Sequence, residues 1–203
     1  MMNRNYSREL DALIEKNKRE NIKPKLMLHA CCACCASYVL EYLNEHFEIY
    51  LLFYNPNITS YDEYDYRYSE LKRLVSEMGL SQKVTIVDSA YSPDEFLNSV
   101  KGLENEPEGG ARCAVCFKNR LKETAKKAVE FSCDYFATTL TISPLKNSSI
   151  INSIGETISK DFSVAYLTSD FKKKNGYKRS IELSKEYNLY RQNFCGCVFS
   201  KND

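Results

Sequence analysis

Apolar residues along this chain follow two different spacings. Short apolar runs predict buried strands, and apolar residues that recur every three or four positions predict amphipathic helices. The strands are predicted at 25–28, 48–54, 83–87, 135–138 and 164–167. The helices are predicted at about 60–78, 94–100, 113–129, 147–154 and 177–187, with a further one that carries Tyr38 and Tyr42. Because strands and helices alternate, the pattern predicts an α/β fold with a parallel sheet and helices on both faces.

Residues 1–24 are polar and carry only a sparse apolar stripe. They are predicted to form an N-terminal helical lead-in. Residues 25–203 are predicted to form a single α/β catalytic domain, because a chain of 203 residues is long enough for one substantial core. The lead-in lacks the apolar segment of a secretory signal. The most apolar stretch, 26–40, is too short to span a bilayer. The protein is therefore expected to be cytoplasmic, without a membrane partner.

Eight of the nine cysteines fall into three tight groups. Cytoplasmic thiols stay reduced, the cysteine count is odd, and adjacent cysteines are poorly placed for disulfides. Clustered thiols therefore indicate a metal, an iron–sulfur cluster or redox chemistry. Cys133 stands alone and is expected in the core. The groups are Cys31-Cys32-Ala33-Cys34-Cys35, Cys113-x-x-Cys116 and Cys195-Gly196-Cys197.

The spacing within each group predicts how the thiols are presented. Cys113 and Cys116 are predicted at a helix start, whose free N–H groups favour thiolate. Alternate residues of an extended segment face the same side, so Cys195 and Cys197 are expected to share a cavity. The first two cysteines of the first group are adjacent, so their side chains are expected to diverge toward different centres. A [4Fe–4S] cluster or a structural zinc site needs about four thiolates, and the chain offers more.

Polar loops are predicted to surround these cysteines. In a parallel sheet, ligands bind beyond the carboxyl ends of the strands. The first cysteine group follows the first strand, 55–57 (Asn-Pro-Asn) follows the second, 138–140 (Thr-Thr-Leu) ends the fourth, and Asp170 follows the fifth. The sequence therefore predicts one site made by four loops. His29 and His46 are not expected to be ligands, although a supporting role stays open for His29.

The order and spacing of these motifs resemble the QueH family of epoxyqueuosine reductases. The resemblance covers about residues 25–200. It rests on LHACCACC (28–35), FYNPNI (53–58), GGARCxxC (109–116), RL (120–121), TTLxISP (138–144), DFxK (170–173) and YRQNFCGC (190–197). The chain departs from the family's common C-C-A-P-C-S in having Cys34 and Ala36. This departure leaves Cys34 outside the expected ligands and alters the turn that presents Cys35.

The resemblance implies a Rossmann-like sheet of the HUP, or nucleotide-hydrolase-like, type. The cysteine loop stands where an S-G-G-x-D phosphate loop would lie. The activity implied is two-electron removal of the epoxide oxygen from epoxyqueuosine in a tRNA anticodon loop, with an external low-potential electron donor. The cofactors implied are a [4Fe–4S] cluster and an additional mononuclear iron. The ligands carried over are Cys31, Cys32, Cys113, Cys116, Cys195 and Cys197.

Further residues are candidates for proton donation and RNA binding. Asp170 and Tyr54 are predicted at strand ends near the site, which makes them candidate catalytic proton donors. Because the net charge is only +1, RNA binding must come from a local basic patch. The tyrosines of 61–68 are more typical of a helix face than of a base-stacking surface. The predicted tRNA-binding patch is Lys172, Lys173, Lys174, Lys178 and Arg179, although a solvated helix start explains it equally well.

Two other classes of function stay open at the level of sequence. A tRNA sulfurtransferase on the same sheet would need an ATP-binding phosphate loop, and the sequence shows none. A non-catalytic metal-binding or redox-sensing module would carry zinc, or would lack inorganic sulfide. The metal and sulfide content of the protein therefore distinguishes these classes.

Overall fold

One five-stranded sheet forms the centre of the computed structural model, which describes residues 4–200. All strand pairs are parallel, in the order β3-β2-β1-β4-β5. The strands are β1 (Lys25–His29), β2 (Glu48–Leu52), β3 (Val84–Val87), β4 (Tyr135–Thr138) and β5 (Ala165–Tyr166). The predicted α/β fold is confirmed, and all five strands lie where the apolar runs predict them.

Helices connect the strands as the helical spacing predicts. Gly79 follows α3 with a φ of 66°, the left-handed conformation that glycine commonly adopts after a helix. The helix predicted at 147–154 continues to Phe162. The α-helices of the described residues are α1 (Tyr6–Arg19), α2 (Ala33–Leu43), α3 (Tyr61–Glu77), α4 (Pro93–Ser99), α5 (Ala111–Glu130), α6 (Ser148–Phe162) and α7 (Gly176–Glu186), and two 3₁₀ turns span Thr139–Ile142 and Val198–Ser200.

Side chains of the strands alternate between two apolar cores. Leu26 and Leu28 of β1 pack in one core with Leu40 of α2, whereas Met27 packs on the opposite face with Leu121 of α5. This alternation follows from the two-residue period of a strand. Helices therefore cover both faces of the sheet, which leaves the carboxyl ends of the strands open for functional residues.

The lead-in helix α1 packs on one of these cores. Leu10 and Ile14 are buried in the same cluster as α2, and the Tyr42 hydroxyl donates a hydrogen bond to Asp11 at 2.8 Å. The division of the chain at residue 25 into a lead-in and a catalytic domain stays a prediction. Between residues 4 and 200, no helix is both long and apolar enough to cross a membrane.

The tyrosines at the start of α3 divide between core and surface. Tyr64 and Tyr68 pack against Phe53, with ring centroids 5.1 and 5.3 Å apart. Tyr61 and Tyr66 are exposed at 61% and 50%. Helical spacing thus explains the first pair as core residues, while the second pair lies on the surface of the helix.

Candidate metal centre

The first cysteine group lies at the point where the chain leaves β1 between two neighbouring strands. Since β2 and β4 flank β1, the loops at their carboxyl ends diverge and leave a crevice. The Cys31 N–H donates a hydrogen bond to Thr139 Oγ1 at 3.2 Å, in the segment after β4. The Asn55 side chain, after β2, donates to the Ala30 carbonyl at 2.9 Å. Three of the four predicted loops therefore meet at the cysteines.

Three thiols form a compact triad in this crevice. The Sγ atoms of Cys31, Cys32 and Cys35 all lie within 4.8 Å of one another, and those of Cys31 and Cys32 are 4.0 Å apart. Thiolates that bind one tetrahedral metal at about 2.3 Å lie about 3.8 Å apart. The triad therefore fits a single metal ion and would leave its fourth position open.

The expectation that Cys31 and Cys32 diverge is wrong. Cys32 is the N-cap residue of α2, with extended φ and ψ of −172° and 167°. Its Sγ accepts a hydrogen bond from the Cys35 N–H at 3.4 Å, which brings Cys35 into the cluster. The backbone changes from extended to helical at this residue, so the alternation of a strand does not apply. Cys35 is a further candidate ligand that sequence reasoning missed, although Cys32 and Cys35 form a C-x-x-C of their own.

A second group of thiols lines a neighbouring narrow pocket of about 30 Å³. Helix α5 begins at Ala111, so its cysteines lie in the first turns, as predicted. The Gly109 N–H donates to Cys113 Sγ at 3.2 Å. Residues from α5 and from the end of the chain thus reach one cavity. The four thiols that line it are Cys113, Cys116, Cys195 and Cys197.

The segment that carries Cys195 is anchored by a buried arginine of α3. Arg67 is only 2% exposed and its guanidinium lies 2.6 Å from Glu63. It also donates hydrogen bonds to the carbonyls of Phe194 and Cys195, each at 3.3 Å. The Asn57 side chain donates to the same Cys195 carbonyl at 3.0 Å. Polar groups of α3 and of the loop after β2 therefore fix this segment.

Gly196 lets the same segment pass close to the loop after β2. Its φ is 97°, and a Cβ at this position would lie 2.7 Å from Ile58 Cγ1. The Thr59 N–H donates to the Gly196 carbonyl at 3.3 Å. Only glycine meets both the backbone conformation and the close approach.

Cys195 and Lys146 connect the two thiol groups. Both residues line the narrow pocket and also a larger open pocket of about 200 Å³, which Cys32 and Cys35 line as well. The two groups therefore belong to one continuous site. The ligand set that the resemblance implies stays a prediction.

The electrostatic environment of the triad favours the thiolate form of one of its three cysteines. The pKa of Cys31 is lowered well below its usual range, first by hydrogen bonds from Cys32 and Cys35 and then by the charge of Lys146, against the effect of burial. The pKa values of Cys32 and Cys35 are raised, because Cys31 lies beside them. The triad therefore favours a single negative charge, carried by the Cys31 thiolate.

The second group follows the same pattern. The pKa of Cys195 is lowered, chiefly by its hydrogen bond with Cys197, with a further contribution from Arg120. The pKa of Cys116 is raised by burial. Arg120 is 4% exposed, and its Nε donates to the Cys116 carbonyl at 3.3 Å. A buried guanidinium thus lies beside the thiols and favours their ionised form.

His29 supports the crevice without offering a free nitrogen. It is fully buried, with Nδ1 2.9 Å from Thr138 Oγ1 and Nε2 3.0 Å from the Tyr54 carbonyl. Since a carbonyl only accepts, Nε2 carries the proton and Nδ1 accepts from the Thr138 hydroxyl. Burial lowers the pKa of His29 to about 4. The residue therefore ties β1 to its neighbours as a neutral imidazole.

The remaining two cysteines have other surroundings. Cys34 lines the larger pocket but does not belong to the triad, and its thiol donates to the Tyr190 carbonyl at 3.1 Å. Cys133 is buried in the apolar core on the α5 side of the sheet, as predicted. Both arrangements agree with their omission from the expected ligands.

The predicted proton donors lie outside the two cysteine pockets. The Asp170 carboxylate accepts from Lys172 Nζ at 2.6 Å and from the Ser148 hydroxyl at 3.3 Å. The Tyr54 hydroxyl donates to Glu95. Asp170 lines neither cysteine pocket, and it follows the edge strand β5, which β4 separates from β1. The catalytic roles of both residues stay predictions.

The predicted tRNA-binding patch is partly neutralised by acidic side chains. Lys173 and Lys178 are exposed and make no ion pair with any residue of 4–200. Tyr177 and Ser180, from the same helix, line the larger pocket. RNA binding by the patch stays a prediction. The paired members are Lys172 with Asp170, Lys174 with Asp11 and Arg179 with Glu41.

Sequence reasoning also missed Arg67, Arg120 and Lys146. Arginine and lysine are usually solvated, and apart from the RL motif at 120–121 nothing in the sequence near these positions distinguishes them from surface residues. Only the packing of α5 and of the loop before α6 brings the charges of Arg120 and Lys146 to the thiols, and only the packing of α3 brings Arg67 to the carbonyls of the Cys195 segment. Their roles are therefore properties of the tertiary structure.

The fold and the site define a class of protein. It is a Rossmann-like α/β protein whose crevice beside the first strand holds thiols suited to metal binding. A family model described as epoxyqueuosine reductase QueH matches residues 26–203. The chain belongs to this family, and the resemblance seen in its motifs is confirmed.

Similar proteins named epoxyqueuosine reductase QueH occur in several bacteria. The protein of Streptococcus pyogenes serotype M1 is 46% identical over 198 residues, which cover 97% of this chain and 78% of the relative. That of Staphylococcus epidermidis is 42% identical over 97% of this chain and 84% of its own length. The protein of Thermotoga maritima is 35% identical over 82% of this chain and 86% of its own length. The similarity thus extends over most of each chain.

Proposed function

We propose that this protein is an epoxyqueuosine reductase that acts on tRNA. The relatives are named for this activity, and the observation that carries the proposal is the meeting of two thiol groups in one crevice. Two electrons and two protons enter, both carbon–oxygen bonds of the epoxide break, and the alkene and water leave. Bound iron would supply single electrons at low potential and act as a Lewis acid toward oxygen.

The donor sets fit two different iron groups. The thiols of Cys113, Cys116, Cys195 and Cys197 match the four thiolates that a [4Fe–4S] cluster needs. Each of those thiolates binds a separate iron, so they need not be as close together as the triad. The triad suits an additional mononuclear iron, because three protein ligands leave one position for another ligand.

The chain's own residues would prepare this site for the substrate. Arg120 and Lys146 offset the negative charge of the thiolates. The open pocket beside the triad would admit the modified base, and Tyr177, 37% exposed at its lining, offers a ring for stacking. Asp170 and Tyr54 remain the candidate proton donors from the sequence, although neither lines this pocket.

The partners follow from the same reaction. The substrate would be tRNA that carries epoxyqueuosine in its anticodon, and an external low-potential donor would supply the electrons. Both are found in the cytoplasm, which is where we propose that the protein acts. A zinc-binding module is the alternative that the triad alone would also suit, since zinc takes thiolate ligands as well.

The first experiment is a count of iron, zinc and acid-labile sulfide per chain after anaerobic purification. We expect about four sulfides and four to five irons, since a cluster and one further ion would be bound. The reduced protein is then incubated with epoxyqueuosine-containing tRNA, and the nucleosides are separated for queuosine. Zinc without sulfide, or full iron without any queuosine formed, would contradict the proposal.

A further inference from the structure

Lys146 occupies a particular place in the crevice. It lies in the turn between the 3₁₀ segment after β4 and helix α6, where its N–H donates to the Ser143 carbonyl at 3.3 Å. Its side chain is half-buried and lines both the narrow pocket and the open pocket. The lysine therefore lies where the two thiol groups and the space for a substrate meet.

The charges around Lys146 come from the site itself. The groups whose fields act on it are the thiols of Cys31, Cys35 and Cys195, together with Arg120. Glu108 lines the same two pockets, but no carboxylate of the described residues forms an ion pair with Lys146, in contrast to Lys172 beside Asp170. A half-buried ammonium without a carboxylate partner keeps its hydrogen-bond donors for another ligand.

We propose that Lys146 is a catalytic residue that binds the epoxide oxygen and stabilises its negative charge as the carbon–oxygen bonds break. This inference rests on the proposed function. It places Lys146, rather than the proton-donor candidates Asp170 and Tyr54, beside the leaving oxygen. Those two side chains are engaged with Lys172 and Glu95 instead.

The chemistry balances with groups that the proposal names. A low-potential one-electron donor supplies two electrons in two steps, and water supplies two protons. Both carbon–oxygen bonds break, the two carbons form an alkene, and the oxygen leaves as water. The ammonium of Lys146 donates hydrogen bonds to the epoxide oxygen while the negative charge on that oxygen grows. A preorganised hydrogen-bond donor to a developing oxyanion commonly contributes about 10²–10³-fold to the rate.

The test is a single-turnover measurement on reduced, iron-loaded protein in excess over epoxyqueuosine-containing tRNA. Lys146→Met removes the charge, Lys146→Arg keeps it, and Lys160→Met is the matched control on an exposed lysine of α6. Iron content, the paramagnetic spectrum of the reduced protein and the Kd for tRNA are measured for every variant. Asp170→Asn is included to compare the two assignments.

We expect Lys146→Met to slow the single turnover by about 10²–10³-fold, with iron, spectrum and Kd unchanged. Lys146→Arg should recover at least part of this loss, and Lys160→Met should match the wild type. Three outcomes would overturn the inference about Lys146 and leave the proposed function standing. They are an unaffected rate in Lys146→Met, a loss of iron in that variant, and a loss of rate only in Asp170→Asn. A wild-type protein that is inactive with full iron would overturn the proposed function as well.

Discussion

At the scale of single residues, Cys32 combines a structural and a chemical role. Serine, threonine, aspartate and asparagine are the usual N-cap residues, and a thiol is a weaker acceptor. Here the Cys32 thiol still accepts from the Cys35 N–H, and the same contact gathers Cys31, Cys32 and Cys35 within 4.8 Å. The start of α2 is therefore arranged for a thiol cluster rather than for the strongest cap.

The neighbouring residues Cys34 and Cys35 allow a matched test of the triad. Cys35→Ser removes one of three ligands and is expected to lower bound iron by about one per chain, because an ion with fewer thiolates dissociates more readily. Cys34→Ser should keep its iron, since a hydroxyl can also donate to the Tyr190 carbonyl. Iron is counted after anaerobic purification, with thermal unfolding as the control for folding. An equal iron content in both variants would show that Cys35 is not an iron ligand.

At the scale of elements, two helix starts and one extended segment supply the thiols. Helices α2 and α5 each begin with a C-x-x-C, at Cys32–Cys35 and Cys113–Cys116, and in α2 the Cys35 N–H donates to Cys32 Sγ. The third contribution, the segment around Cys195, belongs to no helix or strand. It depends on α3, through Arg67 and its hydrogen bonds to two carbonyls.

Two arginines of α3 test this dependence. Arg67→Met should destabilise the protein by about 2 kcal/mol or more, because it leaves buried carbonyls and Glu63 without their charged partner. It should also lower bound iron, since Cys195 loses its anchor. Arg73→Met is the control, because Arg73 donates to the carbonyls of Tyr187 and Asn188 but not to the cysteine segment. Urea unfolding and iron counts are compared, and full iron in Arg67→Met would contradict the anchoring role.

At the scale of the whole molecule, the near-zero net charge of +1 leaves no general attraction for RNA. Three of the five basic residues predicted to bind tRNA are paired with Asp170, Asp11 or Glu41. Lys173 and Lys178 keep their charges free of such pairs within the described part of the chain. Any phosphate contact from this patch is therefore expected to depend mainly on these two.

The salt dependence of tRNA binding tests this expectation. In a Lys173→Gln/Lys178→Gln double variant, the slope of log K against log salt should become shallower by about 1.5, because each phosphate contact contributes roughly 0.7–0.9. A double variant at Lys160 and Lys185, both exposed, is the control. Binding is followed by fluorescence anisotropy over a range of salt. Equal slopes in the wild type and the first variant would exclude the patch as the phosphate contact.

The sequence by itself determined the parallel α/β fold, the helix starts at the cysteines and the family. Apolar periods and motif spacing are local properties that one chain displays directly. The tertiary structure decided which thiols lie together, that Asp170 lies apart beyond β4, and that Lys146, Arg67 and Arg120 belong to the site. These facts depend on the strand order and on contacts between residues far apart in the chain, such as Arg67 with Cys195. No local pattern encodes such contacts, because these side chains resemble solvated surface residues in the sequence. Their interactions gain importance only when the folded chain buries them.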